Sequence, residues 1–217
     1  MYEKQILDLV KKAAPRNPLA YVNNIVKEYA AENLRQVMLA CREVGYDTFR
    51  STFDGDLSAD IMIVSDVPRS EFVESLKDTE EREMIEKVFS FLGYDPNRLF
   101  YIDAINLLPI REVGGEQMVR LPNQAESTSS KVFVDHAIDI VRPKAILLLG
   151  PIASGMYLDV SFTESKHKWI NVNGVPAVPT FHPEKLLNKD GKLNEEDLAD
   201  MKELFINDIE SIIKSIN

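Results

Sequence analysis

Two short stretches, far apart in the chain, carry the residue types that do chemistry. IMIVSDVPRS, Ile61 to Ser70, is an apolar β-branched run that ends in Ser65-Asp66 and then Val67-Pro68. It reads as a buried strand that releases a carboxylate, Asp66, into a loop. AVPTFHPEKLL, Ala177 to Leu187, holds a second short strand, Ala177 to Thr180, which delivers His182 and then Pro183. Carboxylates and imidazoles are among the side chains that most often move protons in catalysis. In open α/β sheets, ligands sit at the carboxyl ends of the strands. The reading therefore predicts that Asp66 and His182 leave two strand ends and face one crevice.

The remaining elements must place those two strand ends side by side. Residues 1 to about 50 read as helical, with Ile6, Leu9 and Val10 on a short first helix and a longer pattern from Leu19 to Met38. DTFRSTFDGDLSAD reads as a linker with a turn. Glu71 to Phe91 reads as a charged helix with Met84, Ile85, Val88 and Phe89 in its apolar stripe, stopped by Gly93 and Asp95-Pro96. LFYIDAINLLP, Leu99 to Pro109, is a second strand and its exit, and REVGGEQMVRLPNQAES reads as a polar loop. A helix is expected over Val132 to Val141. A fully apolar strand, Ala145 to Gly150, follows, central and parallel. A helix starts at Pro151, and a polar hairpin-like piece turns at Asn173-Gly174. Glu195 to Ile213 closes the chain as an amphipathic helix. Strands alternate with helices, so the class is α/β: three layers, α/β/α, around a central, mainly parallel four-stranded sheet, plus N-terminal helices. One domain spanning residues 1–217 is expected, with its core at 58–190.

Composition narrows the function. The chain has 217 residues, 45% of them hydrophobic, enough for one complete core. The formal net charge of -10 argues against broad adhesion to nucleic acid, leaving local contacts or a basic partner. No apolar run is long enough to span a membrane, and no apolar block marks a secretory leader. A cytoplasmic monomer that contacts no membrane is expected. Cys41 is the only cysteine, which rules out a disulfide framework and an all-cysteine metal site within one chain. His136, in a helix, and His167, in a polar loop, are expected to be ordinary.

Four features then line up in order: IVSDVP, FYIDAINLLPIR, VRPKAILLLGPIA and VPTFHPEKLL. As an ordered set they resemble the uracil-DNA glycosylase superfamily, most of all its iron–sulfur branch, often called family 4. That branch carries a Gly-Glu-x-Pro strand exit and a Tyr-Ile-Thr-Asn strand with Pro six residues on. An Arg-Pro-Lys helix end feeding a strand to Leu-Gly and a Pro-Thr-Tyr-His-Pro segment complete the set. The likeness covers roughly residues 60 to 190 and implies a DNA glycosylase. Asp66 falls on the family Glu that positions the attacking water. Val67 falls where other branches carry a catalytic Asp. Asp103 falls on the Asn that reads the uracil edge. His182 falls on the histidine that hydrogen-bonds uracil O2. Lys185, Leu186 and Leu187 fall in the segment that enters the minor groove and fills the gap left by the flipped base. Arg69, Ser70, Arg111, Lys189 and Lys192 are further candidate DNA contacts, as are backbone amides after Pro68 and Gly150.

The departures bear on substrate and cofactor. The family's four cluster cysteines would fall on Cys41, Val44, Leu107 and Ser130. Only one of these is cysteine here, so no cofactor is expected. The family segment whose Phe stacks on uracil is missing between Pro68 and Phe91, with Phe72 or Leu76 as the available substitutes. Asp at position 103 offers acceptors only, which suits a base with an amino or hydroxymethyl group better than uracil. Two functions follow: a glycosylase acting on uracil or a modified pyrimidine, or an inactive glycosylase-like module that binds DNA or a protein partner in replication or repair.

Overall fold

The computed structural model describes residues 18–43, 53–67 and 79–217. The predicted helix around Ile6, Leu9 and Val10 lies outside these residues, as do Val44, Arg69, Ser70, Phe72, Leu76 and the amides after Pro68.

The strands are β1 (Phe53–Gly55), β2 (Ile61–Ser65), β3 (Leu99–Asp103), β4 (Ile110–Val113), β5 (Glu116–Val119), β6 (Ala145–Leu149), β7 (Ile170–Val172) and β8 (Val175–Thr180). Six of them form one sheet in the order β1-β3-β2-β6-β8-β7. The four expected strands, β3, β2, β6 and β8, are its parallel centre. The sheet is two strands wider than expected, because β1 and β7 pair antiparallel at its edges. The β1 edge arises inside the segment that reads as a linker, where polar residues hide a three-residue strand.

Residues of β2, β3 and β6 are all buried. Strands covered on both faces read as continuous apolar runs, and these do. Met62 and Val64 of β2 face one apolar cluster, shared with α1 (Pro18–Glu43) and α3 (Gln124–Val141). Ile61 and Ile63 face the other, shared with α2 (Glu80–Phe91) and α7 (Glu195–Ile216). The period of two along each strand thus builds the three layers. Phe89, Phe205 and Ile209 are fully buried in the second cluster; each such side chain contributes roughly 1.5–3 kcal/mol of burial energy.

Two sequence expectations change. The polar stretch after Pro109 is a β4–β5 hairpin turning at Gly114-Gly115, both with positive φ. Helix α3 begins at Gln124, eight residues before Val132, because Asn123 and Glu126 form a capping box. Glu126 also takes a two-pronged ion pair from Arg120, at 2.8 and 2.6 Å. That pair holds the Glu126 carboxyl below its ordinary range and ties the hairpin to the helix. No described helix is long and apolar enough to cross a membrane.

Candidate active site

Asp66 follows β2 directly and is 5% exposed. Its Oδ1 accepts from the backbone N–H groups of Ile152, at 3.1 Å, and Ala153, at 2.9 Å. Both amides belong to α4 (Gly150–Gly155), a short helix that starts where β6 ends. The Gly150 amide region was expected to hold phosphate. It is instead occupied by Asp66, because a carboxylate from the same sheet edge already satisfies its donors. Gly150 has φ +88°, and a Cβ there would lie within 2.9 Å of three atoms of the Asp66 carboxyl group. Glycine is what lets the carboxylate seat against this backbone.

His182 caps α6 (Pro183–Leu187). Its Nδ1 accepts from the Glu184 N–H at 3.3 Å. A ring nitrogen that accepts carries no hydrogen, so in the neutral ring the proton sits on Nε2. Nε2 lies 3.1 Å from Ser65 Oγ, to which it donates. Asp103 ends β3 in register with Ser65. It is 4% exposed, and its backbone carbonyl accepts from Asn106 Nδ2 at 3.2 Å.

Asp66 and His182 line one cavity of about 570 Å³. Two aromatic rings, Phe162 and Phe181, share its wall, and Lys185, Lys189 and Lys192 border it. Asp103 is not among its lining residues; it stands at the neighbouring strand end, beside Ser65. Val67 is half-buried just beyond Asp66, and Arg111 is exposed on β4. Lys189 is partly neutralised by Glu80, at 3.0 Å, and Glu81, at 3.8 Å, and Lys192 pairs with Asp190 at 2.8 Å.

The sequence reading missed Phe162 and Phe181. Phe181 adjoins His182, so its place was legible. Phe162 opens the short helix α5 (Phe162–Ser165), and the Ser161–Glu164 capping box before it was the available signal. His167 was expected to be ordinary. Its Nδ1 meets Asp208 Oδ2 at 2.7 Å, and its ring packs edge-on against Phe181 with centroids 4.8 Å apart. Burial pushes the Asp208 carboxyl up from its ordinary range, against the pull of His167. The pair braces the aromatic wall from behind.

Leu186 requires a correction. It is fully buried in the apolar cluster with Phe205 and Ile209, so it anchors α6 and cannot enter a groove in DNA. Leu187 is half-buried and Lys185 exposed, so these two keep the surface position. Leu186→Ala is expected to cost about 2–5 kcal/mol by urea unfolding. Leu187→Ala should stay within about 0.5 kcal/mol, as surface changes do. Equal stability of the two variants would overturn this assignment.

An α/β sheet with a carboxylate and an imidazole at its parallel strand ends, lining one cavity, sets a fold and site that sequence comparison then specifies. The profile of the Uracil DNA glycosylase superfamily matches residues 53–208, and the chain belongs to that superfamily. A curated relative, the type-4 uracil-DNA glycosylase of Sulfurisphaera tokodaii, is 24% identical over 199 residues, covering 81% of this chain and 84% of the relative.

The iron–sulfur cluster implied by the family 4 likeness does not fit this chain. Such clusters are held by cysteine thiolates, and Cys41 is the only cysteine. Its thiol donates to Val37 O, at 3.4 Å, and it packs against the first apolar cluster. Ser130 is buried and accepts from the Asn106 N–H at 3.4 Å, and Leu107 is half-buried. Among the described residues, no group of three or more His, Cys, Asp or Glu side chains could hold a metal.

Proposed function

We propose that this chain is a DNA glycosylase that hydrolyses the N-glycosidic bond of uracil or a modified pyrimidine flipped out of DNA. The observation that carries the reading is that Asp66 and His182 line a single cavity. At about 570 Å³ it falls within the range of small-molecule sites and takes a pyrimidine nucleotide. The base is extruded from the duplex and enters beside Phe162 and Phe181. As the glycosidic bond breaks, electrons move onto the base and the sugar becomes cation-like. His182 Nε2–H donates to the base oxygen where that negative charge collects. Asp66 steadies the sugar cation and orients the water that adds to it. The water's oxygen joins the sugar carbon, and its proton leaves toward the carboxylate or solvent. Lys185 is exposed beside the cavity and suits a phosphate contact. Asp103 stands at the neighbouring strand end and does not line the cavity, so it assigns no base preference here.

The test is direct. Single- and double-stranded oligonucleotides containing uracil, 5-hydroxymethyluracil or other modified pyrimidines are incubated with the protein, and abasic sites are cleaved with alkali. Cleavage at one modified position is expected. Intact strands across the panel would defeat the enzyme reading.

A second reading rests on a different observation. An apolar groove of about 890 Å³ runs between α1 and α3, with Val26, Val37 and Val132 exposed along it. In that reading Asp66 serves only as the cap of α4, and the groove takes a protein partner. Intact strands throughout the oligonucleotide panel, with weak DNA binding, would favour it.

A further inference from the structure

Ser65 has no role in either reading, yet its chemistry is out of place in its strand. It closes an otherwise apolar run, Ile61 to Val64, buried on both faces, and is itself 2% exposed. A buried hydroxyl costs stability unless it is hydrogen-bonded. Its Oγ lies 3.1 Å from His182 Nε2, a pairing across 117 positions of chain. Three facts act together on one imidazole. The Glu184 N–H engages Nδ1 at 3.3 Å and leaves the proton on Nε2. The Ser65 hydroxyl receives that proton's hydrogen bond. Ser65 also precedes Asp66 directly, so the same backbone step that aims the carboxylate holds the imidazole.

We propose that Ser65 is a positioning residue for His182. It holds the Nε2–H donor, whose tautomer the Glu184 N–H sets, at the end of β2 beside Asp66. The inference rests on the glycosylase reading for its consequence in catalysis, but its structural claim stands apart from activity. A serine hydroxyl has one hydrogen and two lone pairs. After accepting from His182 it still has a hydrogen to donate. When a base enters, Nε2–H is shared between Ser65 Oγ and the base oxygen, and no proton has to be transferred for the site to become competent. Preorganisation of this kind shows in the chemical step and not in substrate affinity.

The experiment uses the full chain labelled with 15N-histidine. Its three histidines are resolved by two-bond proton–nitrogen correlation, and His182 is assigned from its absence in His182→Asn. A neutral Nε2–H ring is expected in the unmodified protein. In Ser65→Ala and Ser65→Gly the ring stays Nε2–H, because the Glu184 N–H still engages Nδ1, but the His182 Nε2 and ring-proton shifts move as the hydrogen bond to Ser65 is lost, while His136 and His167 stay put. An Nδ1–H ring in the unmodified protein, or His182 signals unchanged in both variants, overturns the proposal. On whichever oligonucleotide is cleaved, both variants are expected to lose about tenfold in single-turnover rate, the equivalent of about one hydrogen bond. Their half-saturating DNA concentration should not change. A rate equal to or above that of the unmodified protein overturns the catalytic half. Failure to cleave any base removes the glycosylase reading and leaves the His182 nitrogen shifts to decide Ser65.

Discussion

Replacing His182 with Asn is expected to slow base release by about 100- to 1,000-fold, the usual cost of removing one preorganised donor from a developing anion. Asn is the informative substitution because His182 does two jobs. Its Nδ1 caps α6, and its Nε2 points to the end of β2. Asn is among the best helix-capping residues and accepts the Glu184 N–H as His182 does. It is too short to bring a donor to the position of Nε2. Folding should therefore survive, with a melting temperature within a few degrees of the unmodified protein, while the chemical step fails. The measurement is single-turnover base release at saturating enzyme, read beside a thermal melt. Full activity in a folded His182→Asn protein would show that the imidazole donates nothing to the leaving base. Loss of both fold and activity would show that α6 needs the ring itself.

The parallel centre of the fold was legible because it is coded by short-range pattern. Runs such as Ile61 to Val64 and Ala145 to Leu149 are apolar at every position, short and rich in branched residues, which suits a strand covered on both faces. The features that escaped are coded by tertiary contacts. Strand β1 holds only Phe53 to Gly55, and its partner β3 lies more than forty positions on, so no local period announces it. The β4–β5 hairpin stands on residues that are mostly exposed, so the apolar alternation that marks a half-buried strand is missing. The early start of α3 was written in Asn123 and Glu126, a local signal that the polar surroundings masked.

The site divides in the same way. That Asp66 and His182 leave parallel strand ends followed from strand polarity alone, and both line the cavity. That Asp66 is bound by amides 86 and 87 positions away did not follow from anything local. Leu186 illustrates the limit of transfer by motif. Its position in the ordered set suggested a wedge for DNA, but α6 turns that side chain inward, onto α7. The helical twist of five residues decides which of two adjacent leucines stays at the surface.

The same amide seat gives the second large effect. Gly150→Ala is expected to cost both stability and activity, and through one cause. At φ +88° a non-glycine residue is strained by about 1–3 kcal/mol. The new methyl also falls on the Asp66 carboxyl group. Backbone cannot yield there without breaking β6 from α4, so the carboxylate must move. It then loses the Ile152 and Ala153 amides and its aim into the cavity. Base release is expected to fall about 100-fold, near that of Asp66→Asn, since both remove one positioned carboxylate. The decisive comparison is a double-mutant cycle with Asp66→Ala. With the carboxyl group already gone, Gly150→Ala meets only the backbone strain, so its stability cost in that background should be smaller than in the unmodified protein, and its further effect on activity close to none. Additive losses in both measurements would mean that Gly150 and Asp66 act independently. The carboxylate would then owe its place to something other than this glycine.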